Sequence, residues 1–166
     1  PDTGEMRRAH IFVAVLGASN YTYACATDRE TQVDWLRGLS QAFAYFGGVT
    51  EVVVPDNPKA LITVADRYEP EITLAAQRCA EHFGTVILPA RPKHPQDKAK
   101  VEVGVQIVER WILARLRHQT FFSLAALNHA IADLLVDLNQ RNFKKLTGTR
   151  RSWFESIDQP ALKPFP

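Results

Sequence analysis

Apolar and polar positions alternate along this chain in two periods. Residues 10–16, HIFVAVL, form an unbroken apolar, β-branched run of strand length. GASN follows and reads as a turn. Residues 21–27, YTYACAT, alternate aromatic and small side chains and read as a second strand, so the pair predicts a hairpin and an antiparallel start to a sheet. The period then changes. Over residues 30–46, ETQVDWLRGLSQAFAYF, the positions Val33, Leu36, Leu39, Ala42, Phe43 and Phe46 recur at three and four, which predicts an amphipathic helix ended by Gly47 and Gly48.

The stretch TEVVVPDN, residues 50–57, is a short β-branched run closed by Pro55. It fits a buried parallel strand, apolar throughout because both faces are covered. Residues 71–83, EITLAAQRCAEHF, predict a second helix; TVILPA predicts another short buried strand, and RPKHPQ a loop. A long helix is expected from about Asp97 to about Arg117, and Ser123 is a candidate N-cap for LAALNHAIADLLVDLNQ. Beyond Asn142 the tail is basic and then Pro-containing, and predicts irregular chain packed on the domain or leading into a linker. Antiparallel strands followed by β-α-β crossovers imply an α/β fold, a mixed sheet with helices on its faces. The expected division is a core over residues 1–140 and an extension over 141–166. There is no internal repeat and no low-complexity segment.

A length of 166 residues suits one domain with a real core. No apolar run reaches the roughly 18 residues of a membrane span, and PDTGEMRRAH has no signal-peptide core. The sequence does not start with Met, so a fragment or a processed chain is expected. Cys25 and Cys79 are far apart in apolar surroundings and read as buried, reduced thiols of a cytoplasmic protein. The five histidines show no zinc-ligand spacing. The net charge of +2 conceals an asymmetry: residues 1–83 carry 7 Lys and Arg against 11 Asp and Glu, whereas residues 84–166 carry 13 against 7. A basic half suggests an anionic partner such as nucleic acid.

Sites in open α/β sheets form beyond the carboxyl ends of strands. Two such ends carry chemistry here. VVVPDN delivers Asp56 and Asn57, and VILPARPKHPQDKAKVE leads from a strand into the helix bearing Glu102. If the two strands are neighbours, Asp56 and Glu102 converge on one edge. Carboxylate pairs suit hard cations such as Mg²⁺, and two such ions about 3.5–4 Å apart support phosphoryl transfer. The cations of the same segment, Arg91, Lys93, Lys98 and Lys100, would then hold a phosphate backbone nearby. Plainer readings stand beside this one. An Asp after a strand is often a turn former, a Glu at a helix start is favoured by the helix dipole, and lysines usually face solvent.

Five stretches, IFVAVLGASNYTYACAT, FGGVTEVVVPDN, RYEP, LPARPKHPQDKAKVEVGVQIVERWILARLR and FFSLAALNHAI, resemble the catalytic domain of DDE transposases related to retroviral integrases. More narrowly, they resemble the IstA-like large transposase subunit of bacterial insertion sequences that travel with an ATPase helper. The resemblance covers nearly the whole chain. It implies a ribonuclease H-like fold and three acidic residues holding two Mg²⁺ or Mn²⁺ ions. It also implies hydrolysis at the transposon ends followed by 3′-hydroxyl attack on target DNA. A homo-oligomeric assembly on DNA, acting at the nucleoid, comes with it. By position, Asp56 matches the second acid of that triad and Glu102 the third, with Asn57 as a neighbour supporting Asp56. Asp66 competes with Asp56: 35 residues separate it from Glu102, but it stands in ITVADRYEP, away from a strand end. The first acid of the family lies on a strand before the hairpin. No residue upstream of His10 matches it, and Asp2 reads as a turn residue, so this strand and its acid are expected to be absent. Two further classes remain at this point: a non-catalytic DNA-binding or assembly module with the same fold, and an unrelated α/β metal-dependent hydrolase.

Overall fold

The computed structural model describes residues 4–56, 61–64, 71–90 and 96–166, with the backbone alone for 62–64 and 96–98. In chain order the strands are β1 (His10–Val15), β2 (Thr22–Thr27), β3 (Val52–Val53), β4 (Ile62–Val64), β5 (Glu71–Ile72) and β6 (Val86–Ile87). The helices are α1 (Gln32–Phe46), α2 (Leu74–Phe83), α3 (Gln96–Val108), α4 (Ala114–Leu116), α5 (Leu124–Gln140), α6 (Arg150–Trp153) and α7 (Gln159–Ala161). A π-helical turn, Glu109–Leu113, joins α3 to α4, and a second, Phe154–Asp158, joins α6 to α7.

The hairpin forms as its pattern requires. β1 and β2 pair antiparallel, with His10 opposite Thr27 and Val15 opposite Thr22. The turn between them is closed by Leu16 N donating to Tyr21 O at 3.0 Å, with Asn20 at φ 60, a left-handed conformation that Asn tolerates better than most residues. Alternation along β1 then divides the molecule into layers. Ile11 and Val13 pack with Val108, Ile112, Ile131 and Leu135 from the long helices. Phe12 points the other way, onto the face carrying Leu39 and Phe43 of α1. The hairpin is the middle layer of an α/β/α sandwich.

α1 starts two residues later than its apolar period suggests, because Thr31 and Asp34 form a capping box and Gly47, at φ 76, ends the helix. β3 pairs parallel with β6, and the ladder runs on through Leu88 N to Val53 O at 2.9 Å. These strands are not buried on both faces as their composition suggested. Val53 and Ile87 pack on the α1–α2 side, while Val52 and Val54 remain 42% and 41% exposed, because no described element covers that face. Residues 71–83 also differ from a single helix. Glu71 and Ile72 pair with β4, and the Thr73 hydroxyl accepts from Ala76 N, so the helix begins at Leu74.

The tail is helical rather than irregular. Thr149 and Ser152 make a capping box at the start of α6. Phe154 stacks on Tyr21 with ring centroids 4.2 Å apart. Asp158 Oδ2 accepts from Ser19 N at 2.8 Å, and Val49 and Lys163 exchange both backbone hydrogen bonds. Both cysteines are free thiols, Cys25 buried and Cys79 half-buried. No described helix is long and apolar enough to cross a membrane.

Candidate active site

β1 and β3 are not paired with each other among the described residues. Among the described residues β1 pairs with β2 alone and β3 with β6 alone, so each presents one open backbone edge. Between those edges lies a cavity of about 600 Å³, walled on one side by β1 and the start of its turn, His10 to Gly17, and on the other by Val52 to Asp56. Its floor is the apolar face of α1, including Leu39, Phe43 and Phe46, and Val101 of α3 reaches its rim. The cavity is a slot with a strand edge on each side and a hydrophobic floor.

The slot gathers the ends of the elements that bear the two expected acids. Asp56 follows Pro55 at the carboxyl end of β3, is exposed, and lines the slot. Glu102 is exposed on the second turn of α3, next to Val101. Glu102 itself is not among the lining residues. α3 is held to β1 by close approach at Gly104, where a methyl group would overlap the Val15 side chain. That approach fixes where the second turn of α3 stands relative to the hairpin. No group of three or more His, Cys, Asp or Glu that could hold a metal ion occurs among the described residues.

Lys100 has a more specific setting than a solvent-facing lysine. Its ammonium donates to Gly17 O, and to Asn20 Oδ1 at 3.1 Å, which ties α3 to the hairpin turn. Lys98 lies on α3, with its side chain outside the described residues. Asn57, Arg91, Lys93 and Asp66 lie outside the described residues as well. At the other end of the slot His10 Nδ1 and Glu30 Oε1 are 3.2 Å apart. Beside them the Thr31 hydroxyl, by hydrogen bonding, holds the Asp34 carboxyl below its ordinary range. Burial pushes the Tyr23, Tyr45 and Cys25 groups up, which keeps them neutral behind the hairpin.

Three features carry no clear signal in the sequence. The slot depends on which strand edges stay unpaired, which no local pattern encodes. Asn128 and Asn139 look like ordinary helix-surface residues, yet both side chains bond the outer edge of β2. Arg150 is one cation among several in the basic tail, and nothing in its neighbourhood along the chain sets it apart.

An antiparallel hairpin followed by a parallel ladder, sandwiched between helices, is the ribonuclease H-like fold of integrase catalytic cores. The chain superposes on the catalytic core domain of bovine immunodeficiency virus integrase with a TM-score of 0.67 and 17% identity, over 92% of this chain and 90% of that one. It also superposes on a chain of the simian T-cell lymphotropic virus intasome, solved in complex with the PP2A regulatory subunit B56 gamma. There the TM-score is 0.71 at 19% identity, covering 95% of this chain and 51% of that one.

In sequence the chain is homologous over its whole length to insertion-sequence transposases. It is 71% identical over 166 residues to the putative transposase for IS1162 of Pseudomonas fluorescens, covering 30% of that protein. It is 64% identical to the putative transposase for IS408 of Burkholderia multivorans, covering 32% of it. It is 26% identical to the transposase for IS21 of Pseudomonas aeruginosa, over 98% of this chain and 38% of that one. The chain therefore spans about a third of the length of the curated relatives it matches. No family model matches it.

Proposed function

We propose that this chain is part of the catalytic domain of a DNA transposase that cleaves transposon ends and joins them to target DNA by metal-dependent phosphoryl transfer. The carrying observation is the 71% identity over the whole chain to the putative IS1162 transposase, and the integrase-core fold supports it. Asp56 and Glu102 are the proposed ligands for Mg²⁺ or Mn²⁺. Both are exposed carboxylates, on two elements that meet at the slot, and hard oxygen donors suit these ions. The described residues offer fewer than three clustered ligands, so they do not make a complete two-ion site.

The slot supports a reading of where the missing ligand enters. An extended strand laid between the open edges would place its own side chains beside Asp56. Bound metal would supply charge neutralisation at the scissile phosphate. The chain's own contribution is positional: β3 aims Asp56, α3 aims Glu102, and Asn57 is proposed to orient the Asp56 carboxylate. Arg91, Lys93, Lys98 and Lys100 are proposed to hold DNA phosphates, and residues 141–166 to form an extension laid on a core of 1–140. A homo-oligomer on DNA and an ATPase helper are the proposed partners, and the bacterial cytoplasm, at the nucleoid, the proposed location.

The test uses the full-length transposase, labelled transposon-end DNA and Mn²⁺. Asp56→Asn and Glu102→Gln should each abolish strand transfer and leave duplex affinity unchanged. Normal strand transfer by either variant refutes the assignment of that residue. Neutralising Lys98 and Lys100 together should flatten the salt dependence of DNA binding, its log–log slope falling by about 1 for each phosphate no longer neutralised.

A further inference from the structure

A second crevice, of about 380 Å³, lies between the hairpin turn and α3. Its walls include Val15, Thr22, Val103 and Ile107, and its charged groups are Lys100 and Arg150. Both are cations, and among the described residues no carboxylate lines the crevice. Lys100 already donates to Gly17 O and Asn20 Oδ1, and an ammonium has three donors, so one remains. Arg150 is less satisfied. Its Nε is buried and has no hydrogen-bond partner among the described residues, and its guanidinium stands 5.2 Å over the Phe143 ring. Burial lowers its pKa, a sign that the cation has lost water without gaining an acceptor. A buried, unpaired donor on a cation is costly. An anion entering the crevice would meet two cations that line it and supply the counter-charge they lack there.

We propose that this crevice is a phosphate-ester subsite, in which Arg150 and Lys100 hold one backbone phosphate of DNA with its sugar against Val15, Val103 and Ile107. The volume is that of on the order of a dozen waters at about 30 Å³ each, enough for a phosphate and the attached sugar. The crevice uses the stripe of α3 formed by Ala99, Val103, Gly104 and Ile107, which Glu102 does not share. It is a holding site to one side of the slot. It rests on the DNA reading above and adds Arg150 to it, a residue outside the run of cations that suggested that reading.

The experiment measures binding of a short duplex at several salt concentrations to the wild-type chain, Arg150→Met and Arg150→Lys. In parallel, inorganic phosphate and thymidine 5′-monophosphate are titrated into the wild type and Arg150→Met, and the amide resonances of Asn20, Thr22 and Lys100 are followed. We expect the log–log salt slope to fall by about 1 in Arg150→Met and to persist in Arg150→Lys. Both small probes should shift the three resonances in the wild type alone. A slope unchanged in a folded Arg150→Met, with the small probes still binding, overturns the DNA assignment and leaves a site for a free phosphate ester. Unshifted resonances with both small probes, together with an unchanged slope, overturn the subsite altogether. If Arg150→Met does not fold, the wild-type titrations and Arg150→Lys decide it. A wild type whose crevice takes phosphate but which binds no duplex refutes the transposase reading instead.

Discussion

Substituting Asn139 tests how the outer edge of β2 is closed. A strand edge left without partners is a row of unsatisfied donors and acceptors. Here a helix covers it, and two side-chain amides imitate the missing strand. Asn139 Oδ1 accepts from Thr22 N at 3.0 Å, and its Nδ2 donates to Thr22 O at 2.9 Å and to the Tyr45 hydroxyl at 3.1 Å. Asn128 does the same at Ala26, accepting at 2.6 Å and donating at 3.0 Å. The geometry permits both at once. Eleven residues of α5 rise about 16 Å, four residues of β2 rise about 13 Å, and the side chains take up the difference. Asn139 is only 2% exposed, so water cannot replace it. Asn139→Leu leaves the N–H and C=O of Thr22 orphaned, at about 1–3 kcal/mol each. The apolar burial of Leu returns about 2 kcal/mol, which gives a net loss of about 0–4 kcal/mol, with a midpoint of about 2 kcal/mol. That is a large part of the about 5–15 kcal/mol that holds a typical domain. Asn128 is half-buried, so Asn128→Leu should cost nearer 1 kcal/mol. Urea unfolding with unchanged m-value measures both, and hydrogen exchange at Thr22 N reads the broken bond directly. An Asn139→Leu chain within about 0.5 kcal/mol of wild type, with Thr22 still protected, would refute the edge-closing argument.

Other perturbations probe other layers. Gly104→Val pushes a side chain into Val15 and should cost about 1–3 kcal/mol by overpacking; strand transfer by the full-length protein should fall further than its melting temperature explains, because α3 carries Glu102. Phe154→Ala removes the ring stacked on Tyr21 and should cost about 3 kcal/mol, with exchange at Ser19 N rising as Asp158 is released; an unchanged urea midpoint would show that the tail is only laid on the surface. The Tyr23, Tyr45 and Cys25 groups are all raised by burial. Their contribution is therefore complete below about pH 9 and is lost as the pH rises toward the folded-state values, because the unfolded chain ionises first. The urea midpoint should decline from about pH 9 upward, and a flat profile would show that the three groups ionise as easily folded as unfolded.

Much of the architecture can be read from local pattern. The hairpin and α1 are legible because each has a strong apolar period and a clear turn or cap. The β4–β5 pair is hidden because EI runs directly into LAAQ with only Thr73 between them, and a threonine serves a strand as readily as an N-cap. The helical tail is hidden because its charges and prolines mask a helix whose burial depends on Tyr21, more than a hundred residues away. Asp56 and Glu102 can be named from their places at a strand end and a helix start, and the slot between the elements that carry them cannot.

The sequence by itself determined the hairpin strands, α1, the helix bearing Glu102 and α5, the antiparallel beginning of the sheet and the basic character of the second half. Those are local properties, set by side-chain period, by caps such as Thr31 and Ser123, and by glycines such as Gly47. Only the tertiary structure decided that β1 and β3 stand apart with a strand-shaped slot between them, that α5 seals β2 with two amides, and that Lys100 and Arg150 line one crevice. Each of these depends on which groups remain without a partner once the chain has packed, and a group's lack of a partner is a property of the whole fold.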